Sequence, residues 1–188
     1  CTYPNALLHA VCRILQKVAP PESEDAKRMA LAAEELNAAV WRRLTVDVNG
    51  EALLAWSTDL GEAASVYDDP AGSLQLLPHY GFCERTDPVW ANTMRFLRSQ
   101  QYRLWLGTKP YPGLASRSTA QLISTAGLCA DLLGTRSSDA LTELKEIVFP
   151  GSVASTHVDP DTGRGVGGLH DASVAGLLAW SLHDTMKE

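Results

Sequence analysis

The chain has 188 residues, of which 45% are hydrophobic and 20% are charged, a balance that suits a folded domain and argues against a disordered one. Its formal net charge is −6 and it has no lysine or arginine block, which argues against nucleic acid and anionic membranes as main partners. No apolar stretch approaches the roughly 20 residues that a membrane-spanning helix needs. Neutral ligands, carbohydrates among them, fit this composition.

The four cysteines lack the spacing of a zinc or dithiol site, so no metal and no redox cofactor is expected. Cys12 and Cys129 lie in apolar helical stretches and are interpreted as buried free thiols, with disulfides as the alternative. The first residues lack the features of a signal peptide, and the compartment is left open with a slight preference for the cytoplasm. Because the sequence opens almost at once into a helix, we expect it to be cut from a longer protein.

Apolar spacing and turn residues divide the chain into helices joined by loops. Apolar residues that recur at i, i+3/i+4 and i+7 indicate amphipathic helices, and Ser23, Asp87 and Asp171 are suitable N-caps. The Asn49-Gly50 pair is typical of the turn in a β-hairpin. The predicted helices span 5–18, 23–44, 73–77, 87–101, 119–133, 138–148 and 171–186, with a β-hairpin over 45–56.

These elements predict an all-α protein with a single domain, residues 1–188. Helices joined by short turns form αα-hairpins. The loops over 102–116 and 149–169 reach the length of about 12–15 residues beyond which loops are usually functional. These loops alternate with the hairpins, which would gather them on one face. No fixed period occurs, which argues against a simple helical-repeat protein.

The most specific signal lies between residues 65 and 120. Its parts are, in order, Asp68-Asp69, Ser73-Leu74, Leu77-Pro78, Gly81-Phe82, Asp87-Pro88, Asn92-Thr93 and Phe96. Together they resemble the linked motifs of family 125 glycoside hydrolases. Residues 113–119 resemble a loop of that family, and residues 178–180 resemble the "FAW" of its final helix. The likeness covers about two thirds of the chain, from Tyr67 to its end.

What the resemblance implies is an (α/α)6 barrel of the six-hairpin glycosidases, of which this chain would be the C-terminal half. The family hydrolyses non-reducing α-1,6-linked mannose without a metal and with inversion at the anomeric carbon. Inversion needs a general acid and a general base about 6.5–9.5 Å apart, with a water between base and substrate. The implied function is that of an exo-α-mannosidase-like hydrolase of carbohydrate metabolism that uses no cofactor.

Two departures from the family bear on catalysis. The family's base is a glutamate in a segment of the "MHESF" type, and an alignment anchored on residues 157–159 places Ala154 at that position. The family's acid lies in the first half of the barrel, upstream of these residues. The isolated chain is therefore expected to be inactive, either as part of a larger enzyme or as a degenerate homologue.

Four carboxylates are candidates for the site. If the alignment is displaced, Asp159 or Asp161 could be the catalytic base, and a solvated Asp-Pro-Asp-Thr-Gly turn is the alternative. Asp68 and Asp69 are candidate sugar-binding residues because carboxylates accept hydrogen bonds from hydroxyl groups, and a helix cap with a turn is the alternative. The Asp159 loop lacks the closing glutamate of an EF-hand, so no metal is expected there.

Aromatic and polar loop residues complete the predicted substrate-binding set. Trp105 and Tyr111 lie in the 102–116 loop, where their rings could stack on a sugar face. Ser118 occupies the position of a histidine in the family's loop, and His157 lies in the loop nearest the expected pocket. The tryptophans interpreted as core residues are Trp41, Trp90 and Trp180.

Three alternatives to the mannosidase-like interpretation stay open. A catalytically silent carbohydrate-binding module is favoured by Ala154. A helical interaction protein would be favoured by disordered pocket loops, and another six-hairpin glycosidase, such as a glucoamylase-like hydrolase, by a different set of carboxylates. Three hairpins would also leave an apolar flank open, and large exposed apolar patches mark interaction sites. The chain is therefore predicted to pair with itself or with another chain.

Overall fold

The computed structural model describes residues 1–58, 64–68, 71–168 and 171–185. The helices are α1 Thr2–Val18, α2 Glu24–Leu44, α3 Pro88–Leu97, α4 Thr125–Thr135, α5 Ser138–Lys145 and α6 Ala172–Thr185, with a 3-10 turn at Pro150–Ser152. The strands are β1 Thr45–Val48, β2 Glu51–Leu54, β3 Ser57–Thr58, β4 Ala64–Ser65, β5 Ala115–Ser116, β6 Thr119–Ser124, β7 His157–Val158 and β8 Gly165–Val166. None of the helices in these ranges is both long and apolar enough to cross a membrane.

The residues group into two compact units whose sequences interleave. The first comprises residues 1–67 and 77–93, and the second comprises residues 68–76 and 94–188. The interpretation of residues 1–188 as a single domain stays a prediction.

The prediction of an all-α fold is wrong. Strands β5, β6, β7 and β8 form a four-stranded antiparallel sheet in that order, outside the predicted β-hairpin. The predicted helix 119–133 divides into strand β6 and helix α4. The side chain of Ser124, which lies inside the predicted helix, caps α4 by accepting from Gly127 N–H at 3.1 Å. The predicted helix 73–77 is a run of turns.

The other predicted helices and the β-hairpin are present with adjusted ends. Ser23 caps α2 by accepting from Ala26 N–H at 3.1 Å. Asp87 and Asp171 cap α3 and α6 through pairs of backbone N–H groups. Strands β1 and β2 pair in antiparallel fashion around Asn49-Gly50, where both residues have positive φ, as a two-residue hairpin turn requires.

Helices α1 and α2 pack as an αα-hairpin in the first unit, and Phe82 anchors this packing. Its ring meets the His9 ring edge-on at 5.4 Å and stacks on Trp41 at 5.8 Å. Its carbonyl accepts a hydrogen bond from the side-chain amide of Asn37 at 2.9 Å. Phe82, part of the motif that carried the resemblance, is thus a structural residue of this unit.

The core of the second unit lies where helices α4, α5 and α6 pack beside the four-stranded sheet. Its buried members are Ile123, Leu128, Leu132, Ala140, Leu144 and Val158. Leu178 and Leu182 of α6 pack against them. Strands β6 and β7 each contribute one core residue, so the sheet is fixed to the helices by side-chain packing.

Predictions about buried tryptophans and cysteines have mixed outcomes. Trp90 is buried, as predicted, whereas Trp180 is 42% exposed, so its interpretation as a core residue is wrong. Helical spacing identifies an apolar face of α6 but not whether the same chain covers it. Cys12 and Cys129 are buried free thiols, as predicted, and burial raises the pKa of Cys129 to about 11.

Gly134, in α4, allows a close approach between backbones. A methyl group at this position would lie 1.9 Å from the carbonyl oxygen of Gln75, whereas one at Gly176 in α6 would meet nothing within 4 Å. We expect Gly134→Ala to destabilise the protein by about 1–3 kcal/mol through overpacking. Gly176→Ala should instead be neutral or stabilise by up to about 1 kcal/mol, the gain in helix propensity. Urea unfolding of the two variants measures the difference, and equal stabilities would contradict the contact.

Candidate carbohydrate-binding site

An open cleft of about 540 Å³ lies in the second unit, beside the turn that joins β7 to β8. Its lining residues are Leu106, Lys109, Ala120, Gln121, Leu122, Asp159, Pro160 and Asp161. The cleft therefore combines an apolar floor from β6 and the 102–116 loop with one cationic, one amide and two carboxylate side chains. Both predicted catalytic residues, Asp159 and Asp161, line it.

Asp159 organises the turn on which the two carboxylates lie. Its Oδ1 atom accepts from the backbone N–H groups of Asp161 and Thr162 at 2.8 and 3.2 Å. Its carbonyl oxygen accepts from Gly163 N–H at 2.9 Å, and its own N–H donates to Arg164 at 2.9 Å. This is the Asp-Pro-Asp-Thr-Gly turn weighed as the alternative to a catalytic role, and it leaves Oδ2 of Asp159 outside these turn bonds.

Lys109 pairs with Asp161 at the exposed edge of the cleft. The Lys109 Nζ atom lies 3.0 Å from each carboxylate oxygen of Asp161. Because both side chains are exposed, this ion pair contributes little to stability. The two hydrogen bonds leave Lys109 one further N–H donor, and each Asp161 oxygen keeps a lone pair, so this pair could still form hydrogen bonds with sugar hydroxyls.

Tyr111 contacts the same turn through its backbone and its ring. Its backbone N–H donates to the Pro160 carbonyl at 3.0 Å, and a methyl group at Gly163 would lie 2.5 Å from its ring. The phenol ring therefore packs against the turn at Gly163. The structure places Tyr111 next to Asp159 and Asp161, as a neighbour of the cleft and not one of its lining residues.

His157 and Ser118 belong to the sheet that carries the cleft. His157 pairs with Ser124 and Val166 in the β7 ladders, and its Nδ1 atom lies 2.9 Å from the Thr156 hydroxyl. Burial lowers the pKa of His157, which favours the neutral ring at neutral pH. Ser118 lies in the exposed turn between β5 and β6, 3.0 Å from the hydroxyl of Ser116.

Trp105 is held by Arg98 and by its own loop. The Arg98 guanidinium lies 5.2 Å from the centroid of the Trp105 ring, within cation–π range. A methyl group at Gly107 would lie 1.9 Å from the indole Nε1 atom. One face of the indole is thus occupied by a cation, which restricts the predicted stacking on a sugar to the remaining surface.

Asp68 is buried, and its carboxylate accepts three hydrogen bonds from its own segment. Its Oδ2 atom accepts from Gly72 N–H at 2.5 Å, and its Oδ1 atom accepts from Leu74 N–H at 2.8 Å and from the Ser73 hydroxyl at 2.6 Å. Only 1% of the residue is exposed. These contacts correspond to the capping alternative, and Asp69 lies outside the described residues.

Ala154, the position matched to the family's base, is buried beside Ser155, which is also buried. In the described part of the chain, no group of three or more His, Cys, Asp or Glu side chains could hold a metal ion. The carboxylates available in the cleft are therefore Asp159 and Asp161, both from one turn. An inverting pair needs its acid and base on opposite sides of the scissile bond, and a single turn does not supply this arrangement.

Lys109 and Gln121 were missed by the sequence analysis. Lys109 lies in the loop that was selected for its length and aromatic residues, but a single exposed lysine carries no distinguishing pattern. Gln121 was assigned to a helix, where it would be an ordinary surface residue. The alternative assignment of residues 119–124 to a strand would have placed Gln121 near the β7–β8 turn, because β6 pairs with β7.

A comparison with solved structures finds a protein of similar fold. The chain is similar to a Streptococcus pneumoniae protein described among the metal-independent alpha-mannosidases and solved as a non-productive substrate complex with alpha-1,6-mannobiose. The two structures superpose with a TM-score of 0.81 and 20% sequence identity, over 98% of this chain and 46% of the other. The chain thus spans about half the length of that protein. No known family profile and no curated protein matches the sequence.

Proposed function

We propose that this chain is a glycosidase-like domain that binds α-mannosides without hydrolysing them by itself. The observation that carries the proposal is the fold, which is similar over nearly the whole chain to a metal-independent alpha-mannosidase solved with a mannobiose. Membership of glycoside hydrolase family 125 and a partial (α/α)6 barrel are parts of the same proposal. They are supported by the motif order from Asp68 to Phe96 and by the size of the match.

The binding site in this proposal is the cleft at the β7–β8 turn. Lys109 and Gln121 donate hydrogen bonds to ring hydroxyls, and the carboxylates of Asp159 and Asp161 accept them. Leu106 and Leu122 provide apolar surface for the C–H faces of the sugar. An open cleft with few fixed polar groups favours weak binding, because water competes for every hydroxyl.

The absence of turnover follows from the position of the carboxylates. Losing a general acid or base typically costs factors of 10² to 10⁴ in rate. In this chain, the position matched to the base is occupied by Ala154, which has no acid–base group. Asp159 uses its Oδ1 atom to accept two hydrogen bonds from its own turn. Catalysis by Asp159 or Asp161 is the competing proposal, supported by the fact that both line the cleft.

Titration of the chain with α-1,6-mannobiose, followed by NMR or calorimetry, tests the binding proposal. We expect saturable binding in the millimolar range, weakened about three- to tenfold by Lys109→Ala or Gln121→Ala, the loss of one hydrogen bond each. Lys145→Ala, at an exposed position in the last turn of α5, is the matched control and should leave the affinity unchanged. Absence of binding at millimolar sugar would reject the proposal in favour of a helical interaction protein.

An aryl α-mannoside assay separates the silent domain from the competing enzyme. We expect no release above background. Turnover that disappears in Asp159→Asn but persists in Asp47→Asn would instead assign catalysis to the cleft. Asparagine can form the same turn through its side-chain oxygen, so the Asp159 variant should stay folded.

A further inference from the structure

One buried and one partly buried carboxylate in the second unit pair with the same arginine. Asp131 of α4 and Glu143 of α5 each form an ion pair with Arg98, which directly follows α3. The Glu143 Oε1 atom lies 2.8 Å from Arg98 Nη2, whereas the Asp131 carboxylate contacts Nη1. Asp131 also accepts from the side-chain amide of Gln75 at 3.1 Å. The guanidinium thus joins α4 to α5 through two different nitrogen atoms, which a lysine amine could not reproduce.

This charged cluster is a poor source of stability. Burial raises the pKa of both carboxyls, and the charge of Arg98 opposes the rise. Removing such charges from water costs free energy, and replacing a buried ion pair by uncharged residues is often neutral or even stabilising. The contacts around Arg98 indicate a role in holding a neighbouring segment in place.

Arg98 contacts Trp105, and the Trp105 ring contacts the segment that lines the cleft. The guanidinium carbon lies 5.2 Å from the centroid of the ring. A methyl group at Gly107 would lie 1.9 Å from the indole Nε1 atom, so the Gly107 backbone packs directly against the same ring. Leu106 and Lys109, on either side of Gly107, both line the cleft. The ring therefore connects Arg98 with the cleft-lining residues 106–109, which we call the 106–109 segment.

Backbone hydrogen bonds carry the position of the ring to Lys109. Leu106 N–H donates to the Gly113 carbonyl at 3.0 Å, which fixes the start of the segment. Lys109 N–H in turn donates to the Leu106 carbonyl at 3.3 Å, so the turn that carries Lys109 is built on Leu106. A shift of the Trp105 ring would move Leu106 and Gly107 and, with them, the amine that faces the cleft.

We propose that Arg98, held by Asp131 and Glu143, is a positioning residue that fixes the Trp105 ring and thereby the 106–109 segment of the cleft. The importance of this role for sugar binding rests on the proposed function. None of the three charged residues is among the lining residues of the cleft, so they act through Trp105. Trp105 has a supporting role in this proposal, in place of the stacking on a sugar that the sequence predicts.

A variant without the charges separates positioning from stability. Arg98→Met keeps an unbranched apolar side chain, and its combination with Asp131→Asn and Glu143→Gln leaves no uncompensated charge in the cluster. The asparagine side-chain oxygen can still accept from Gln75. We expect this triple variant to unfold in urea at a midpoint close to that of the wild type, because the uncharged replacement of a buried ion pair is often neutral.

Two measurements on the triple variant test the positioning role. Hydrogen exchange followed by NMR should show the Leu106 amide exchanging at least about tenfold faster than in the wild type, because local opening exposes it. The Asp159 amide, which donates to the Arg164 carbonyl at 2.9 Å in the β7–β8 turn, should keep its rate. The affinity for α-1,6-mannobiose should fall about three- to tenfold, since Lys109 no longer presents its hydrogen bond.

The matched control removes another partly buried ion pair of the same unit. Arg136 and Asp184 are paired at 2.8 Å, with side chains 24% and 23% exposed, and neither lines the cleft. Arg136→Met combined with Asp184→Asn should leave both the exchange rate of the Leu106 amide and the affinity for mannobiose unchanged.

The outcomes distinguish this inference from the proposed function. If the wild type does not bind mannobiose, the proposed function fails, and faster exchange at Leu106 in the triple variant still supports the positioning role, whereas unchanged exchange overturns it. If the wild type binds and the triple variant matches it in affinity or in Leu106 exchange, the inference is wrong. Equal acceleration at Leu106 and Asp159, or the same changes in the control variant, would indicate a general loosening of the unit and overturn the inference.

Discussion

Replacing Asp68 by alanine is expected to destabilise the protein by about 3 kcal/mol or more. The buried carboxylate accepts three hydrogen bonds within its own segment, from Gly72, Ser73 and Leu74. Each bond to a charged acceptor contributes about 1.5–3 kcal/mol, and its removal leaves buried donors without a partner. Asp68→Asn keeps one acceptor oxygen and should cost less. Equilibrium unfolding in urea at neutral pH measures these differences.

The control for this substitution is Asp47→Ala. Asp47 also accepts a backbone hydrogen bond, from Gly50 at 3.0 Å, but at an exposed hairpin turn. Its removal should cost about 0.5 kcal/mol, as is typical of surface positions. If Asp68→Ala were as mild as this control and weakened mannobiose binding instead, Asp68 would be the sugar-binding residue that the sequence predicts.

Replacing Arg98 by alanine is expected to cost about 3 kcal/mol at neutral pH. Its guanidinium forms ion pairs with Asp131 and, at 2.8 Å, with Glu143, and it lies over the ring of Trp105. Asp131 is buried, and removing one partner from a buried pair leaves an uncompensated charge that costs about 3–5 kcal/mol. The partial exposure of Arg98 sets the expectation at the lower end.

The deficit of Arg98→Ala should shrink as the pH falls from about 7 towards about 5. Burial raises the pKa of Asp131 and of Glu143, and the charge of Arg98 opposes this in both. Without Arg98 both pKa values rise further. A carboxyl with a folded-state pKa above its unfolded value takes up a proton on acidification, which removes the buried charge and restores stability. Chemical denaturation of wild type and variant at several pH values measures the change.

The exposed pair of Lys27 and Glu24 is the control for this pH dependence. Both side chains are more than half exposed, so Lys27→Ala should change stability little at any pH. A deficit for Arg98→Ala that stays constant between neutral and mildly acidic pH would contradict the role of Asp131 and Glu143. In that case the loss would come from the packing of Arg98 on Trp105.

Local signals were sufficient to predict most helices and the β-hairpin. Ser23, Asp87 and Asp171 cap helices because their side chains satisfy backbone N–H groups within three residues, which is a property of the local sequence. Asn49-Gly50 forms a hairpin turn for an equally local reason, its positive φ angles. Such elements need no knowledge of the rest of the chain.

The four-stranded sheet could not be predicted in the same way. Strands β5, β7 and β8 have two residues each, too few for an alternating pattern to appear. Strand β6 precedes α4 directly, and its Leu122 and Ile123 continue the apolar spacing of that helix. Of the two strands that pair with β6, β5 lies just before it but has only two residues, and β7 lies more than 30 residues later, at 157–158.

The candidate site was predicted only in part, because some of its residues meet only through the pairing of strands that are distant in the sequence. Asp159 and Asp161 lie in an Asp-Pro-Asp-Thr-Gly turn that is visible in the sequence. Lys109 and Gln121 reach the same cleft only because the sheet brings three segments together. Asp68 was predicted to bind sugar, with a helix cap as the alternative, and its burial, on which the choice depends, comes from packing with distant parts of the chain.

The interleaved units have a consequence for the synthesis of the protein. The chain passes from one unit to the other after residues 67, 76 and 93. At roughly 5–20 residues per second, a ribosome takes about one to five seconds to add the residues between the first and the last of these crossings. At the same rate, the α1–α2 hairpin, complete at Leu44, waits about two to eight seconds for Phe82, whose ring packs against His9 and Trp41. Because each unit is built from two separate segments of the chain, no single proteolytic cut can release either unit whole.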